Sequence, residues 1–345
     1  MRRTINQRID RAAGDEENFR KMILKDKFVL LLCGGLMIAM GACTSDKFKT
    51  PEKLGGKWVS AETLNVGHDT YMQYCYQCHG VMGDGNGPAA QGTYPPPRDF
   101  KQGLFKFGTV AAGNLPTDDD LKKTILYGLR GTPMLPWDIS EKRLDAVVQY
   151  IKTFSPAWKE QEIGEPLIET ADPWGPKLAS EAIKQGEKVY HGLAQCYTCH
   201  PSYVGLEKIN QYSIEMTGNP VSEIRDSPEL STPLETSYNY IEMPPDYTKN
   251  FIKTGGGIHS LYQILGTGIG GTPMPAWKNA LSVSGDLKES EKNQWALAYY
   301  VNYLYSLKFN EEARRAFLKK RDKEISSSDL SNAEPETKTE SQEES

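Results

Sequence analysis

Apolar positions fall into a repeated helical pattern. Leu144, Val147, Val148, Ile151 and Phe154 recur every three or four residues, which predicts a helix over about residues 141–154. Val66, Tyr71 and Tyr74 fall near one face of an earlier stretch that begins at Ala61 and runs into Cys75. Between these two, Asp118, Asp119 and Asp120 put carboxylates at the positive end of a helix reaching Leu126, and Gly128 is placed to close it. The pattern then returns. Leu261, Leu265, Gly268, Ile269 and the run from Gly271 to Met274 stand 140 positions after Leu121, Ile125, Gly128, Leu129 and the run from Gly131 to Met134. Ala296, Tyr300, Val301 and Leu304 stand 150 positions after Ala146, Tyr150, Ile151 and Phe154. A repeat this long predicts a duplicated domain.

Polar stretches flank and separate the copies. Residues 44–60 read as a tether with Pro51, Gly55 and Gly56, and residues 155–176 as a linker rich in proline and acids. Residues 326–345, dense in serine and glutamate, read as a disordered tail. Near the start, residues 28–42 form an apolar run, shorter than the roughly 20 residues of a spanning helix. Lys25 and Lys27 precede it and Gly41 and Ala42 end it, which is the layout of a signal peptide. Met40-Gly41-Ala42-Cys43 resembles a bacterial lipobox, which makes Cys43 the lipidated first residue of the mature chain. Residues 1–21, polar and carrying Asp10, Asp15, Glu16 and Glu17, are unlike a signal, and Met22 makes a better start.

Charge changes the picture little. The net charge is −5, and 8 of 40 basic and 5 of 45 acidic residues lie in 1–42, leaving 32 against 40. Much of that acid excess sits in the tail, so the folded body is near neutral, and nothing basic enough to hold nucleic acid appears.

Candidate chemistry is concentrated in two motifs. Cys75-Tyr76-Gln77-Cys78-His79 recurs as Cys196-Tyr197-Thr198-Cys199-His200. Two thiols at this spacing, followed at once by histidine, are the pattern of c-type heme attachment, each thiol adding to a vinyl group and the imidazole reaching the iron. Zinc ribbons pair CxxC without the adjacent histidine, and thiol-redox motifs sit in a βαβ pattern that is missing here. The remaining cysteines are Cys33 and Cys43, so covalent heme takes the place of disulfides. Each copy also carries Gly-Thr-Pro-Met, ending at Met134 and Met274, a rigidly presented thioether suited to the second axial position. Met82, Met216 and Met243 are rivals outside the repeat. The copies differ in three ways. Two extra residues separate Tyr190 from Cys196, the glycine-rich loop after His79 is missing after His200, and the His-to-Met span is 74 residues instead of 55. Most of the excess lies in residues 206–240, expected to cover the second heme or meet a partner.

Taken together, the chain resembles the class I diheme cytochromes c of bacteria over residues 61–307. The resemblance implies an all-α fold of two tandem class I cytochrome c domains, at 61–156 and 178–309. Around them lie the extension and signal 1–42, the tether 43–60, the Pro/acid-rich linker 157–177, and the C-terminal helix with disordered tail 310–345. It implies two covalently bound heme c groups on Cys75, Cys78, Cys196 and Cys199, with His79, Met134, His200 and Met274 on iron. Gly67 and Tyr71 match the helix-crossing glycine and aromatic of the family. Pro88 matches the proline whose carbonyl accepts the Nδ1 proton of His79, with Pro201 and Pro220 the candidates for His200. Arg98 is expected to pair with a propionate or with Asp99.

The function implied is single-electron transfer in a respiratory chain, not catalysis. Partners are redox proteins, a membrane respiratory complex or a terminal oxidase or reductase, and the location is the periplasm-facing cell envelope, anchored by lipid. The alternative is a diheme redox enzyme such as a peroxidase or thiosulfate dehydrogenase, which needs acid–base residues beside an open iron. His68 and His191 are expected on helix surfaces, and His259 is the one histidine near the second methionine loop.

Overall fold

Helix α1 (Ala61–Tyr74) starts where Ser60 accepts the backbone N–H of Thr63 at 3.1 Å. Helix α2 (Asp118–Tyr127) starts with a reciprocal cap. Thr117 accepts from the Asp120 amide, and Asp120 accepts from the Thr117 amide at 3.0 Å. Helix α3 (Glu141–Lys152) buries Leu144, Val147, Val148 and Ile151, the stripe read from the sequence. With Leu54, Leu64, Tyr71, Tyr150 and Trp158 these residues form the first core. Gly67 sets the α1–α3 crossing, because a Cβ there would stand 2.2 Å from the Ala146 carbonyl oxygen.

The second half repeats the plan with four helices: α4 (Ala179–Lys188), α5 (Leu206–Thr217), α6 (Ile258–Thr267) and α7 (Leu287–Leu307). Tyr190, Ile209, Tyr262, Trp295, Leu297 and Tyr300 are at the centre of its core. Gly186 meets Ala296 and Tyr300 as Gly67 meets Ala146 and Tyr150. A last helix, α8 (Glu311–Asp329), lays Phe317 against Tyr203 and Tyr303.

This computed structural model describes residues 46–329. The extension and signal 1–42, Met22, the lipobox with Cys43 and the end of the tail lie outside the described residues. No helix among the described residues is long and apolar enough to cross a membrane.

Three expectations are corrected. From Phe48 the tether is part of the fold: β1 (Glu52–Leu54) and β2 (Lys57–Val59) pair antiparallel, Glu52 opposite Val59. Leu54 and Val59 enter the first core, so apolar burial holds this segment down. The stretch 157–177 is packed as well, since Trp158 is buried in the first core and Leu167 lies against the second. Its backbone is tied by Gly164 N–H to the Leu115 carbonyl at 3.0 Å and by Leu167 N–H to the Thr109 carbonyl at 2.6 Å. The helix α8 runs on past Ser326, where a disordered tail was expected to begin. The described residues from Phe48 onward belong to one compact unit.

Candidate functional site

The first Cys-X-X-Cys-His is a direct continuation of α1. Cys75 is the C-cap, Tyr76–His79 forms one more helical turn, and the His79 N–H reaches the Cys75 carbonyl at 2.9 Å. In the second copy the two extra residues are absorbed by a π-helical turn, Val189–Leu193, and by Gln195 at φ 47°. Insertion of a residue into a helix opens its ladder in this way. His191 occupies that turn fully buried, not on a surface as expected. Its Nε2 accepts from the Tyr203 N–H at 3.1 Å, so its proton is on Nδ1 and is donated to the Glu187 carbonyl at 2.9 Å. Burial pushes its pKa down to about 4, which keeps it neutral and structural.

Both motif histidines are oriented by a backbone carbonyl, and neither carbonyl is the one expected. His79 Nδ1 donates to Arg98 at 3.1 Å instead of Pro88, and His200 Nδ1 donates to Pro245 at 3.1 Å instead of Pro201 or Pro220. Arg98 and Pro245 are equivalent positions, each followed by Asp and an aromatic. Asp99 and Asp246 turn the chain by accepting the amides of Lys101 and Thr248, both at 2.9 Å. That turn stacks Phe100 on His79 and Tyr247 on His200, with ring centroids 4.6 and 4.9 Å apart, both pairs inclined by 19°. Burial lowers the pKa of both histidines, His200 to about 4, so each imidazole is neutral with Nδ1 committed and Nε2 left to bind a metal. In the second site the Tyr247 hydroxyl stands 3.3 Å from His200 Nε2.

The motif carbonyls are satisfied differently in the two copies. After His79 the glycine-rich loop folds back, with Gly85 N–H on the His79 carbonyl at 2.9 Å and Gly87 N–H on the Cys78 carbonyl at 3.1 Å. The second copy has no such loop, and Arg225 from the insertion replaces it. Its guanidinium donates to the carbonyls of Tyr197 at 2.8 Å and His200 at 3.1 Å, while Thr232 N–H takes the Cys199 carbonyl at 2.9 Å. The insertion therefore clasps the second motif from behind. Sequence reasoning missed Arg225 because nothing local marks it. It missed the Phe100 and Tyr247 stacks although the repeat had already aligned the two residues.

The methionine loops are near copies of one another. The amides of Met134 and Met274 donate to Thr132 and Thr272 at 3.1 and 3.3 Å, and their carbonyls accept from Leu129 and Ile269 at 2.8 and 3.2 Å. Gly131 and Gly271, at φ 72° and 68°, make the turn possible. Met134 packs against the first core, as does Cys75. In the second half Cys196, Cys199, His200 and Met274 all line one cavity of about 820 Å³. Tyr190, Leu265, Leu297 and Val301 make its walls apolar. Of the rival methionines, Met82 is exposed, Met216 lies against the second core, and Met243 also lines the cavity. His68 is half-buried beside Tyr150, and His259 is an exposed residue paired with Glu169, absent from the cavity wall.

A large flat cofactor fits this donor set. Burial pushes the Cys75 and Cys196 thiols up to about 12, the neighbouring Cys78 and Cys199 adding to it, whereas a free redox thiol must ionise easily. No group of three or more His, Cys, Asp or Glu able to hold a metal ion occurs among the described residues. Arg98 stacks its guanidinium on the Tyr238 ring at 3.4 Å.

Comparison with known proteins agrees. Residues 62–151 match the family described as cytochrome c oxidase, cbb3-type, subunit III. A chain of the reducing HAO-like protein complex of Kuenenia stuttgartiensis is 30% identical, over 69% of this chain and 95% of that one, with a TM-score of 0.55. No curated protein sequence matches. The protein belongs to the c-type cytochromes. Its fold is mostly helical, its cofactor is covalently bound heme c, and its role is heme-based electron transfer.

Proposed function

We propose that the chain is a diheme cytochrome of two tandem class I domains, residues 61–156 and 178–309, passing single electrons between partner proteins. Cys75 and Cys78 hold one heme and Cys196 and Cys199 the other; His79 with Met134 and His200 with Met274 are the axial pairs. One observation carries this reading. The carbonyl-oriented histidine, its stacked aromatic and the methionine loop recur with the same bonds in both halves. Bound through these residues, heme supplies a one-electron iron couple. The chain's own part is to hold each histidine proton on Nδ1, to present sulfur from a braced loop, and to surround the group with apolar walls that exclude water. With imidazole from His79 or His200 and thioether from Met134 or Met274 both held on the iron, no position would be left for a small substrate. This supports a carrier over a diheme peroxidase or thiosulfate dehydrogenase, as does His259, which is exposed, paired with Glu169 and not among the residues lining the cavity beside His200. The family match supports a respiratory setting, and the neighbour, drawn from a two-protein complex, supports work as an electron-carrying subunit beside a partner protein.

The intact mature protein should weigh two heme masses more than its polypeptide. An excess of one heme would remove the diheme reading and point to loss at the second motif, which departs further from the family.

The same proposal places the chain on the periplasmic side of the envelope, held by lipid at Cys43. The support is the sequence from Phe28 to Cys43. Cys43→Ser, if still exported, should move the protein to the soluble periplasmic fraction. A variant that stays on membranes through high-salt and carbonate washes would mean another anchor.

A further inference from the structure

The cavity beside His200 is not closed by the second half alone. Lys106, Phe107, Arg130 and Gly131 of the first half line it too. They are held there by backbone bonds across the halves, Gly270 N–H to the Lys106 carbonyl and Arg130 N–H to the Lys253 carbonyl, both at 3.0 Å. The ionisable side chains on this wall other than His200, Cys and Tyr are unbalanced in sign. Lys106, Arg130, Lys249, Lys253 and Lys308 face a single carboxylate, Glu242. Glu242 is bridged by Lys106 and Lys253 together. Lys249 is taken by Asp246, at 3.0 Å behind the wall, and Lys308 lies over Phe251 with its ammonium on the Lys249 carbonyl at 2.6 Å.

The Lys106 side chain is only 7% exposed, and burial pushes its pKa down. A buried ammonium is costly without full compensation. Here two ammonium groups share one carboxylate, with the Arg130 guanidinium on the same wall. The arrangement is short of negative charge, beside a cavity that otherwise fits an apolar macrocycle. A heme meets both conditions, being apolar over its ring and bearing two propionate carboxylates at one edge.

Resting on the two-heme reading above, we infer that Lys106, Arg130 and Lys253 bind the propionates of the heme held by Cys196 and Cys199, so that the first half completes the second site. Arg130 belongs to the loop that presents Met134, and Lys106 follows the segment that orients and stacks on His79. The wall therefore ties both ligand sets of the first site to the carboxylate edge of the second. Cations near an iron favour its reduced form, and Glu242 opposes them.

The test is a redox titration of the full-length, heme-loaded protein followed optically. The wild type should show two one-electron components, and the second is identified as the one displaced by Met274→Ala. Lys106→Gln and Lys253→Gln should each make that component harder to reduce by roughly tenfold in its equilibrium, a fall of about 59 mV for one electron. Arg130→Gln, at the exposed rim, should move it the same way by less. Glu242→Gln should move it in the opposite direction, and Lys177→Gln, exposed and away from the wall, should leave both components in place. If Lys106→Gln does not load heme, Arg130→Gln and Glu242→Gln carry the same test with opposite signs. Shifts shared equally by both components, or found on neither, would overturn the inference. A wild type with a single heme would instead sink the two-heme reading on which it rests.

Discussion

Replacing Gly186 by alanine is expected to destabilise the protein, although the same change on an open helix stabilises it by about 1 kcal/mol. The reason is the α4–α7 crossing. A Cβ at Gly186 would stand 2.1 Å from the Ala296 carbonyl oxygen and 2.6 Å from the Tyr300 Cβ. Backbone and Cβ atoms cannot rotate away, so the helices must part, and with them Tyr190, Tyr300 and the segment leading to Cys196. Overpacking of this kind costs on the order of 1–3 kcal/mol or more, which outweighs the helix-propensity gain. Gly186→Val, with a smaller such gain and a bulkier side chain, should lie beyond the upper end of that range. Gly67→Ala, with 2.2 Å to the Ala146 carbonyl, should behave like Gly186→Ala in the first half. Urea unfolding of the heme-loaded variants gives the sign directly. Stability equal to or above wild type for Gly186→Ala would mean that the two helices part at this crossing at little cost.

Much of this crossing was legible beforehand. Gly67 with Tyr71, and Gly186 with Tyr190, keep the same four-residue spacing ahead of their motifs, and the partner residues Ala146, Tyr150, Ala296 and Tyr300 appear in the repeat. Tyr71 and Tyr190 even make the same bond, to the carbonyls of Gly80 and Pro201 at 2.7 and 2.9 Å. Periodicity and spacing report interactions that recur, which is why helices and candidate ligands could be read. Contacts made once, between distant parts of the chain, leave no such trace. Arg225 gathers the carbonyls of Tyr197 and His200 from 25 residues or more away, and no pattern around it says so. The carbonyls of Arg98 and Pro245 were missed for another reason. A backbone acceptor carries no residue signature, so the search fell on prolines close to each motif. The buried Trp158 and Leu54 show the same limit, since polar neighbours made their segments read as linker and tether when single apolar residues anchor them.

Met134→Ala and Met274→Ala are expected to have the largest effect on the chemistry, because each would remove the thioether proposed to bind iron without touching covalent attachment. The oxidised wild type should show the weak near-infrared sulfur-to-iron band at two-heme intensity, and each substitution should remove about half of it. Each should also open one reduced iron to carbon monoxide and lower that heme's potential, since a thioether favours the reduced metal. The loops argue for equal behaviour. Both methionines are fixed by the same threonine hydroxyl and the same i−5 amide, so little ordering remains to be done when sulfur binds. Simple packing is the competing role, since methionine commonly fills apolar gaps. The second site has a specific rival in Met243, which lines the same cavity but is exposed and lacks the braced loop. Met243→Ala should therefore leave the band intact. Loss of the band in Met243→Ala with retention in Met274→Ala would transfer the ligand role. Ready carbon monoxide binding by the unsubstituted reduced protein at neutral pH would mean that one iron is open in the native state, and the diheme enzyme would then be the better account.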